Sequence, residues 1–376
     1  MGLVLTAAAN VLVNPWRVLP VATEIKALDP YREIDAEIRT CKAGLAMHGT
    51  WDTLVIGSSR PNSGIDPEGP AFKNLKAVNL GMNGGDLYET RAMLDHALRS
   101  QSPKTAVLLI DAGDLTRPGK VQIENDFEIS PLSKSDPVER SLRYLFSQRS
   151  VDAAIVSLNF ASKQKPPHYS PLGMQRKQPP HLNYFETMEK YYLPWARLQT
   201  DFQKRNLGIQ QDKITVIREM LETCARRSVR AILAIPPNHL TLSQAMELQG
   251  APDPWFLAER RALAGLVAEV NEANPGQPCE FWDFNIPSPI TTEPFPPRDQ
   301  PRPMENWLDP IHFTSTVGDR YAALLLGSRA EDDTLAIHGD PKNPDDYLAK
   351  VERLFKEAAS KLPDERAGIR KALEKP

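Results

Sequence analysis

The sequence predicts an α/β protein built on a doubly wound, mostly parallel sheet. Apolar, β-branched runs at 52–56, 77–80 and 105–110 have strand length, and each ends in a polar turn that contains glycine. Patterns with helical spacing separate these runs, which is the rhythm of successive βαβ units. The same alternation resumes at 211–284, after a long interruption.

Length and composition bound the rest. A chain of 376 residues holds one large domain or two, and 41% hydrophobic with 25% charged residues is globular rather than disordered. The net charge of −3 is spread along the chain, so no basic stripe marks a nucleic-acid partner. The chain has 34 prolines and they are concentrated near 166–180, 236–237, 252–254 and 287–303, as expected of long irregular segments laid over a core. Cys41, Cys224 and Cys279 are scattered, none at zinc-ligand spacing. They allow at most one disulfide and leave the redox compartment open.

Taken in order, the first segment is 1–50. Its start, 2–13, is small and apolar except for Thr6 and Asn10, and Asn14-Pro15-Trp16-Arg17 follows. A bilayer span takes about 20 helical residues, so this run is too short for one. It reads equally as the last turns of a membrane anchor, with Trp16 at the interface, or as a short buried helix. Ile34, Ile38 and Leu45 then fit a helix leaning on the sheet.

The body of the domain spans 51–327. The run at 52–56 enters Gly57-Ser58-Ser59-Arg60. In open α/β sheets the ligand crevice lies beyond the carboxyl ends of the strands, so Ser59 stands where a nucleophile is useful. The run at 77–80 enters Gly81-Met82-Asn83-Gly84-Gly85-Asp86, a loop whose glycines let backbone amides approach a ligand. Asp86 with Glu89 makes a capping box for a helix reaching about Ser100. The third run ends in Asp111-Ala112-Gly113-Asp114. Residues 115–205 break the rhythm and read as an insertion over the crevice. It holds a helix with Val138, Leu142, Leu145 and Phe146, an apolar segment at 151–158, the turn Pro166-Pro167-His168-Tyr169, and Tyr184, Tyr191, Tyr192 and Trp195.

A helix striped by Ile214, Ile217, Met220, Leu221 and Cys224 restarts the α/β pattern. A strand at 229–235 ends in Pro236-Pro237-Asn238-His239, a helix runs from Trp255 to about Asn271, and a short strand lies at 281–284. Then comes Asp309-Pro310-Ile311-His312, with Thr314 or Ser315 capping a helix. The remainder, 328–376, reads as a charged, peripheral tail with one amphipathic helix at 346–374.

Ser59, Asp309 and His312 have the chemistry of a triad. A serine hydroxyl needs a base near neutral pH, and a carboxylate fixes the tautomer of that base. The spacing and order of the blocks resemble the SGNH (GDSL-type) hydrolase superfamily over about 50–325. The family's Gly-x-Ser is matched by Gly57-Ser58-Ser59, its oxyanion glycine by Gly84 within Asn79-Leu80-Gly81-Met82-Asn83-Gly84, and its Asp-x-x-His by Asp309 to His312. The resemblance implies a flavodoxin-like three-layer α/β/α sandwich, with Ser59 as nucleophile and the amides of Ser59 and Gly84 as oxyanion donors. It departs at the third block, where Gly113 stands in place of an asparagine donor. Asn83, Asn238 and His239 are candidate replacements that would contact substrate, and Arg60 reads equally as a contact for an anionic or acyl-carrying substrate or as a salt-bridge partner of Asp86 or Asp114. The Gly-Ser-Ser-Arg start and the insertion are similar to membrane-anchored SGNH-like proteins of bacterial envelopes, including relatives of alginate O-acetyltransferases.

That resemblance implies serine esterase or O-acetyltransferase chemistry on an acylated cell-surface carbohydrate or other ester, without metal or organic cofactor, at an extracytoplasmic membrane. A cytoplasmic location is the alternative. A different class of function is an inactive SGNH-like module that binds glycan or protein at the envelope. A nucleotide binder using the glycine turn ranks last, because Gly-x-Gly-x-x-Gly is absent from that turn.

Overall fold

The computed structural model describes residues 2–19, 25–32, 34–118, 126–165, 167–176, 183–205, 208–328, 332 and 334–374. Its strands are β1 (Thr53–Gly57), β2 (Ala77–Asn79), β3 (Thr105–Leu109), β4 (Arg230–Ile235), β5 (Glu280–Asp283) and β6 (Ile337–Gly339). They form one sheet in the order β2-β1-β3-β4-β5-β6. The pairs β1–β2 and β4–β5 are parallel and β5–β6 is antiparallel. A sheet that starts near its middle, steps to one edge and then winds the other way is the doubly wound α/β architecture the sequence predicts. The chain divides into two compact units, residues 1–105 with 122–177 and residues 106–121 with 178–376.

The first unit holds α1 (Gly2–Val13), α2 (Ile38–Met47), α3 (Ser59–Gly64), α4 (Leu87–Ser100), α5 (Pro137–Phe146) and α6 (Gln148–Ser162). Side-chain caps account for three of these six starts. Asp86 and Glu89 form the expected reciprocal cap of α4, with Glu89 N–H on Asp86 Oδ1 at 2.9 Å and Asp86 N–H on Glu89 Oε2 at 3.2 Å. Asp136 caps α5 ahead of Pro137, and Ser147 caps α6. Helix α1 is twelve uncharged residues whose Asn10 is buried and donates to the Leu145 carbonyl at 2.9 Å. Its Val4, Leu5 and Leu12 are exposed. No helix among the described residues is long and apolar enough to cross a membrane. Of the two readings of this segment, the buried one describes Trp16, which packs edge-on to Tyr144, 5.6 Å between ring centroids, in a cluster with Leu19, Ile34, Ile38 and Cys41. A large ring gains more from that apolar contact than from a surface position.

The second unit continues with α7 (Tyr184–Thr187), a π-helical turn at Met188–Tyr192, and α8 (Leu193–Lys204). It then holds α9 (Gln211–Arg226), α10 (Leu240–Leu248), α11 (Leu257–Ala273), α12 (Ser315–Leu325), α13 (Pro344–Glu357) and α14 (Pro363–Leu373). Parts of the expected insertion and its neighbourhood, 119–125, Pro166, 177–182 and 206–207, lie outside the described residues, as do 329–331, 333 and 375–376 of the tail. The single amphipathic helix expected at 346–374 is two helices. Leu362 adopts a left-handed φ of 56° before Pro363, whose ring disfavours helical geometry in the residue preceding it. Nor is the tail peripheral. β6 pairs with β5, and α13 buries Tyr347, Leu348, Val351 and Phe355. All three cysteines are buried free thiols.

The tail is fastened by a buried polar knot. Arg260 and Asp283 are both fully buried, with Arg260 Nε on Asp283 Oδ2 at 2.7 Å. The Tyr347 hydroxyl of α13 donates to the same Asp283 oxygen at 2.7 Å, and Arg260 also reaches the carbonyls of Trp255 and Asn285. Burial opposes the Arg260 charge, but Asp283 more than offsets it and drives its pKa up. Removing one member of such a pair strands the other charge, at a cost of about 3–5 kcal/mol. Arg260→Met is therefore expected to lose that much in urea unfolding. Arg261→Met, at the exposed pair with Asp345 (2.6 Å), is expected to lose under about 1 kcal/mol.

Candidate functional site

In the first unit β1 runs through Gly57 into α3, with Ser59 as the first helical residue and half-buried. The glycine loop after β2 is laced to this turn by main-chain bonds, Leu80 N–H to Val55 O at 2.8 Å and Met82 N–H to Gly57 O at 3.0 Å. The Asn79 side chain donates to the carbonyls of Pro61 (2.6 Å) and Ile65 (2.7 Å) and accepts from Gly81 N–H (2.9 Å), so it closes both ends of the connection. Gly81 passes so close to α3 that a Cβ there would lie 2.7 Å from Asn62 N, which only glycine tolerates. Gly84 is exposed with φ of 64°, and Asn83 next to it accepts from Asn62 Nδ2 at 2.9 Å. Both line a cleft of about 700 Å³ with Trp16, Glu37, Arg39 and Arg149. Arg60 is only 4% exposed, so its guanidinium is not displayed as an open anion contact.

In the second unit the turn after Trp307 carries the acid and base. The Asp309 carboxylate accepts from the backbone N–H of Ile311 and of His312, both at 2.9 Å, through Oδ1. Its other oxygen accepts from His312 Nδ1 at 2.6 Å. A proton held on Nδ1 makes Nε2 the basic nitrogen of the ring, the tautomer a general base requires. Burial pushes the Asp309 carboxyl up, but the His312 charge and the three donated hydrogen bonds outweigh it and hold it at about 2.

The turn is fixed from several sides within its unit. His239 N–H donates to the Pro310 carbonyl at 2.9 Å. The Tyr184 hydroxyl accepts from Met304 N–H and donates to the Trp307 carbonyl, both at 2.9 Å. The Glu293 carboxylate accepts from the N–H groups of Glu305 (2.8 Å) and Asn306 (2.9 Å). Tyr184 and Glu293 were absent from the sequence-based candidates. Their partners lie 120 and 12 or more residues away, and no local spacing announces them.

His239 requires a correction. Its ring is fully buried and stacked on Phe295 at 4.7 Å, with Nε2 on the Glu293 carbonyl at 2.7 Å and Nδ1 on Thr241 Oγ1 at 2.9 Å. Burial lowers its pKa to about 4, so it is a neutral scaffold group with both nitrogens engaged, not a substrate contact. Asn238 is half-buried. Its N–H bonds Asn285 Oδ1 at 3.0 Å, and its own Oδ1 is buried without a partner among the described residues. At the third strand-end turn, a Cβ on Gly113 would lie 3.3 Å from the Phe256 ring and 3.4 Å from Gln199 Oε1. Phe256 and Gln199 thus crowd the space a side chain would need at that position.

The acid limb of stability tests this geometry. Asp309 has its folded pKa depressed from 3.8 to about 2, so its contribution is complete above the unfolded value and is lost as pH falls through about 2. That shift corresponds to about 2 kcal/mol. Urea unfolding between pH 6 and 2 is expected to show this loss for the native chain, and Asp309→Asn is expected to flatten that part of the curve. The sequence matches no protein-family model, and no curated protein matches it significantly.

Proposed function

We propose that the chain is a serine-dependent acyl ester enzyme of SGNH type, an esterase or O-acetyltransferase. In this reading Ser59 Oγ attacks the acyl carbonyl while His312 Nε2 takes its proton. Asp309 holds His312 in the basic tautomer and stabilises the imidazolium that forms. The amides of Ser59 and Gly84 receive the developing oxyanion. Collapse expels the alcohol, protonated by His312, and leaves an acyl-serine. Water or a sugar hydroxyl then attacks with His312 again as base, releasing acid or a new ester.

The observation that carries this reading is the Asp309–His312 bond of 2.6 Å, with the carboxylate also gripping two backbone amides. A surface histidine beside an Asp-Pro turn does not require a carboxylate, 10% exposed, that binds its ring as well as two backbone amides of the turn. The position of Ser59 at the carboxyl end of β1 supports the nucleophile. The cleft beside Gly84 offers room for an acylated sugar. The exposed Val4, Leu5 and Leu12 of α1 favour a location at the membrane face of a cell envelope.

A second reading, an SGNH-like module that binds glycan or protein without turnover, is favoured by Gly113, which contributes no side-chain donor. Losing one oxyanion donor costs about 100- to 1000-fold. The two readings separate on labelling with a fluorophosphonate probe and on p-nitrophenyl acetate turnover. The enzyme reading expects labelling that Ser59→Ala abolishes, and turnover reduced at least about 1000-fold by Ser59→Ala, Asp309→Asn or His312→Gln. Signals equal between native chain and Ser59→Ala establish the binding module instead.

A further inference from the structure

We propose that Lys42 is a positioning residue, whose buried side-chain nitrogen sets, through Asn62, the spacing between the turn that carries Ser59 and the loop that carries Gly84. The assignment rests on the reading of Ser59 as nucleophile and Gly84 as oxyanion donor.

Lysine is among the residues least often buried without need, and Lys42 on α2 is 0% exposed. Its nitrogen meets three oxygens from three separate segments, Asn62 Oδ1 at 2.9 Å, the Asn79 carbonyl at 2.9 Å and the Gly173 carbonyl. An ammonium has three N–H donors and no acceptor, so three converging acceptors match it in number. Burial drags the pKa well below the ordinary lysine value, so the site is held against a desolvation cost. A methionine fills the same volume without that cost. The hydrogen bonds are what the lysine adds.

Each of the three acceptors belongs to the frame of the site. Asn62 lies on α3, three residues after Ser59. With its oxygen fixed by Lys42, the Asn62 amide nitrogen is aimed at Asn83 Oδ1 (2.9 Å), Gln175 Oε1 (3.2 Å) and the Tyr169 hydroxyl (3.3 Å). Asn83 in turn donates to Gln175 Oε1 at 3.3 Å. A single amide thus spans from the helix of Ser59 to the residue before Gly84. Asn79, the second acceptor through its carbonyl, binds the middle and the C-terminal end of α3 through its side chain. The third, Gly173, sits in a loop whose Gln175 N–H bonds the Asn62 carbonyl at 2.8 Å. Without Lys42 the Asn62 oxygen loses the donor that fixes its direction, and the side-chain tie from the glycine loop to α3 loosens.

The test uses Asn62→Asp and Lys42→Met in the full chain. Asn62→Asp keeps an acceptor for Lys42 and replaces the amide donor to Asn83, Gln175 and Tyr169 by a carboxylate oxygen. Two readouts are taken: p-nitrophenyl acetate kinetics, and amide hydrogen exchange of the peptide 80–86. Both variants are expected to lower kcat about 10- to 100-fold with KM within about twofold, the size of effect a small misplacement of reacting groups produces. Exchange in 80–86 is expected to quicken about tenfold. Val351→Ala, a fully buried position in the second unit, controls for lost stability and is expected to change neither. If Lys42→Met does not fold, Asn62→Asp decides alone. Unchanged exchange at 80–86 overturns the proposal, whatever the kinetics. Unchanged kcat in a Ser59-dependent native enzyme also overturns it. Quickened exchange in a chain with no Ser59-dependent turnover supports the positioning role and refutes the ester reading.

Discussion

An α/β sheet presents its chemistry where strands stop, and there the backbone no longer satisfies itself. A strand end and an abrupt helix start each leave N–H and C=O groups that need partners, at the very place where solvent must be excluded or controlled. In this protein buried side chains meet that demand. Asn79 serves three backbone groups around α3, and Asp309 serves two backbone amides besides its imidazole. Each is a short polar side chain that presents its acceptors, and in Asn79 its donors too, in fixed directions. Neither needs a long flexible stem, so little rotational freedom is lost in holding the turn.

The same logic explains why buried charges recur in both units. Arg39 on α2 pairs with Glu89 on α4 at 3.0 Å, both nearly fully buried, and Arg260 pairs with Asp283 in the second unit. Glu89 belongs to the cap of α4 as well, so one carboxylate serves both a helix terminus and a neighbouring helix. Isolated buried ions are expensive, but ions shared among several hydrogen bonds are not isolated. The members of such a knot depend on one another, because removing one strands the other. Such knots are also where packing alone would leave the register of neighbouring elements undetermined.

What could be read from residues alone was the part governed by near neighbours. The strands at 53–57 and 105–109, the capping box at Asp86 and Glu89, and the helix striped by Ile214 to Cys224 all declare themselves within a dozen residues. The Asp309–His312 contact was legible for the same reason, since three residues separate the partners. Lys42 and Tyr184 were illegible because their acceptors and donors come from far along the chain, up to 131 residues away for Lys42. His239 was misread because its place after a strand suggested a site, whereas its neighbours Phe295 and Trp307 make it a core ring. The strand β6 has three residues and no periodicity to display. The break at Leu362 was signalled by Pro363, but the strong amphipathic pattern on both sides concealed it.

The two compact units are interleaved along the polypeptide rather than consecutive. The chain leaves the first unit after residue 105, returns at 122 and leaves again after 177. On a ribosome adding about 5–20 residues per second, roughly 4–14 s separate the exit of residue 105 from that of residue 177. During that interval the early strands β1 and β2 exist without α5 and α6. A nascent chain of this design therefore carries a half-built apolar surface for seconds, and vectorial synthesis cannot finish one unit before beginning the other. A cut into two fragments at any single position also divides at least one unit, so neither unit can be expressed as one uninterrupted piece of this chain.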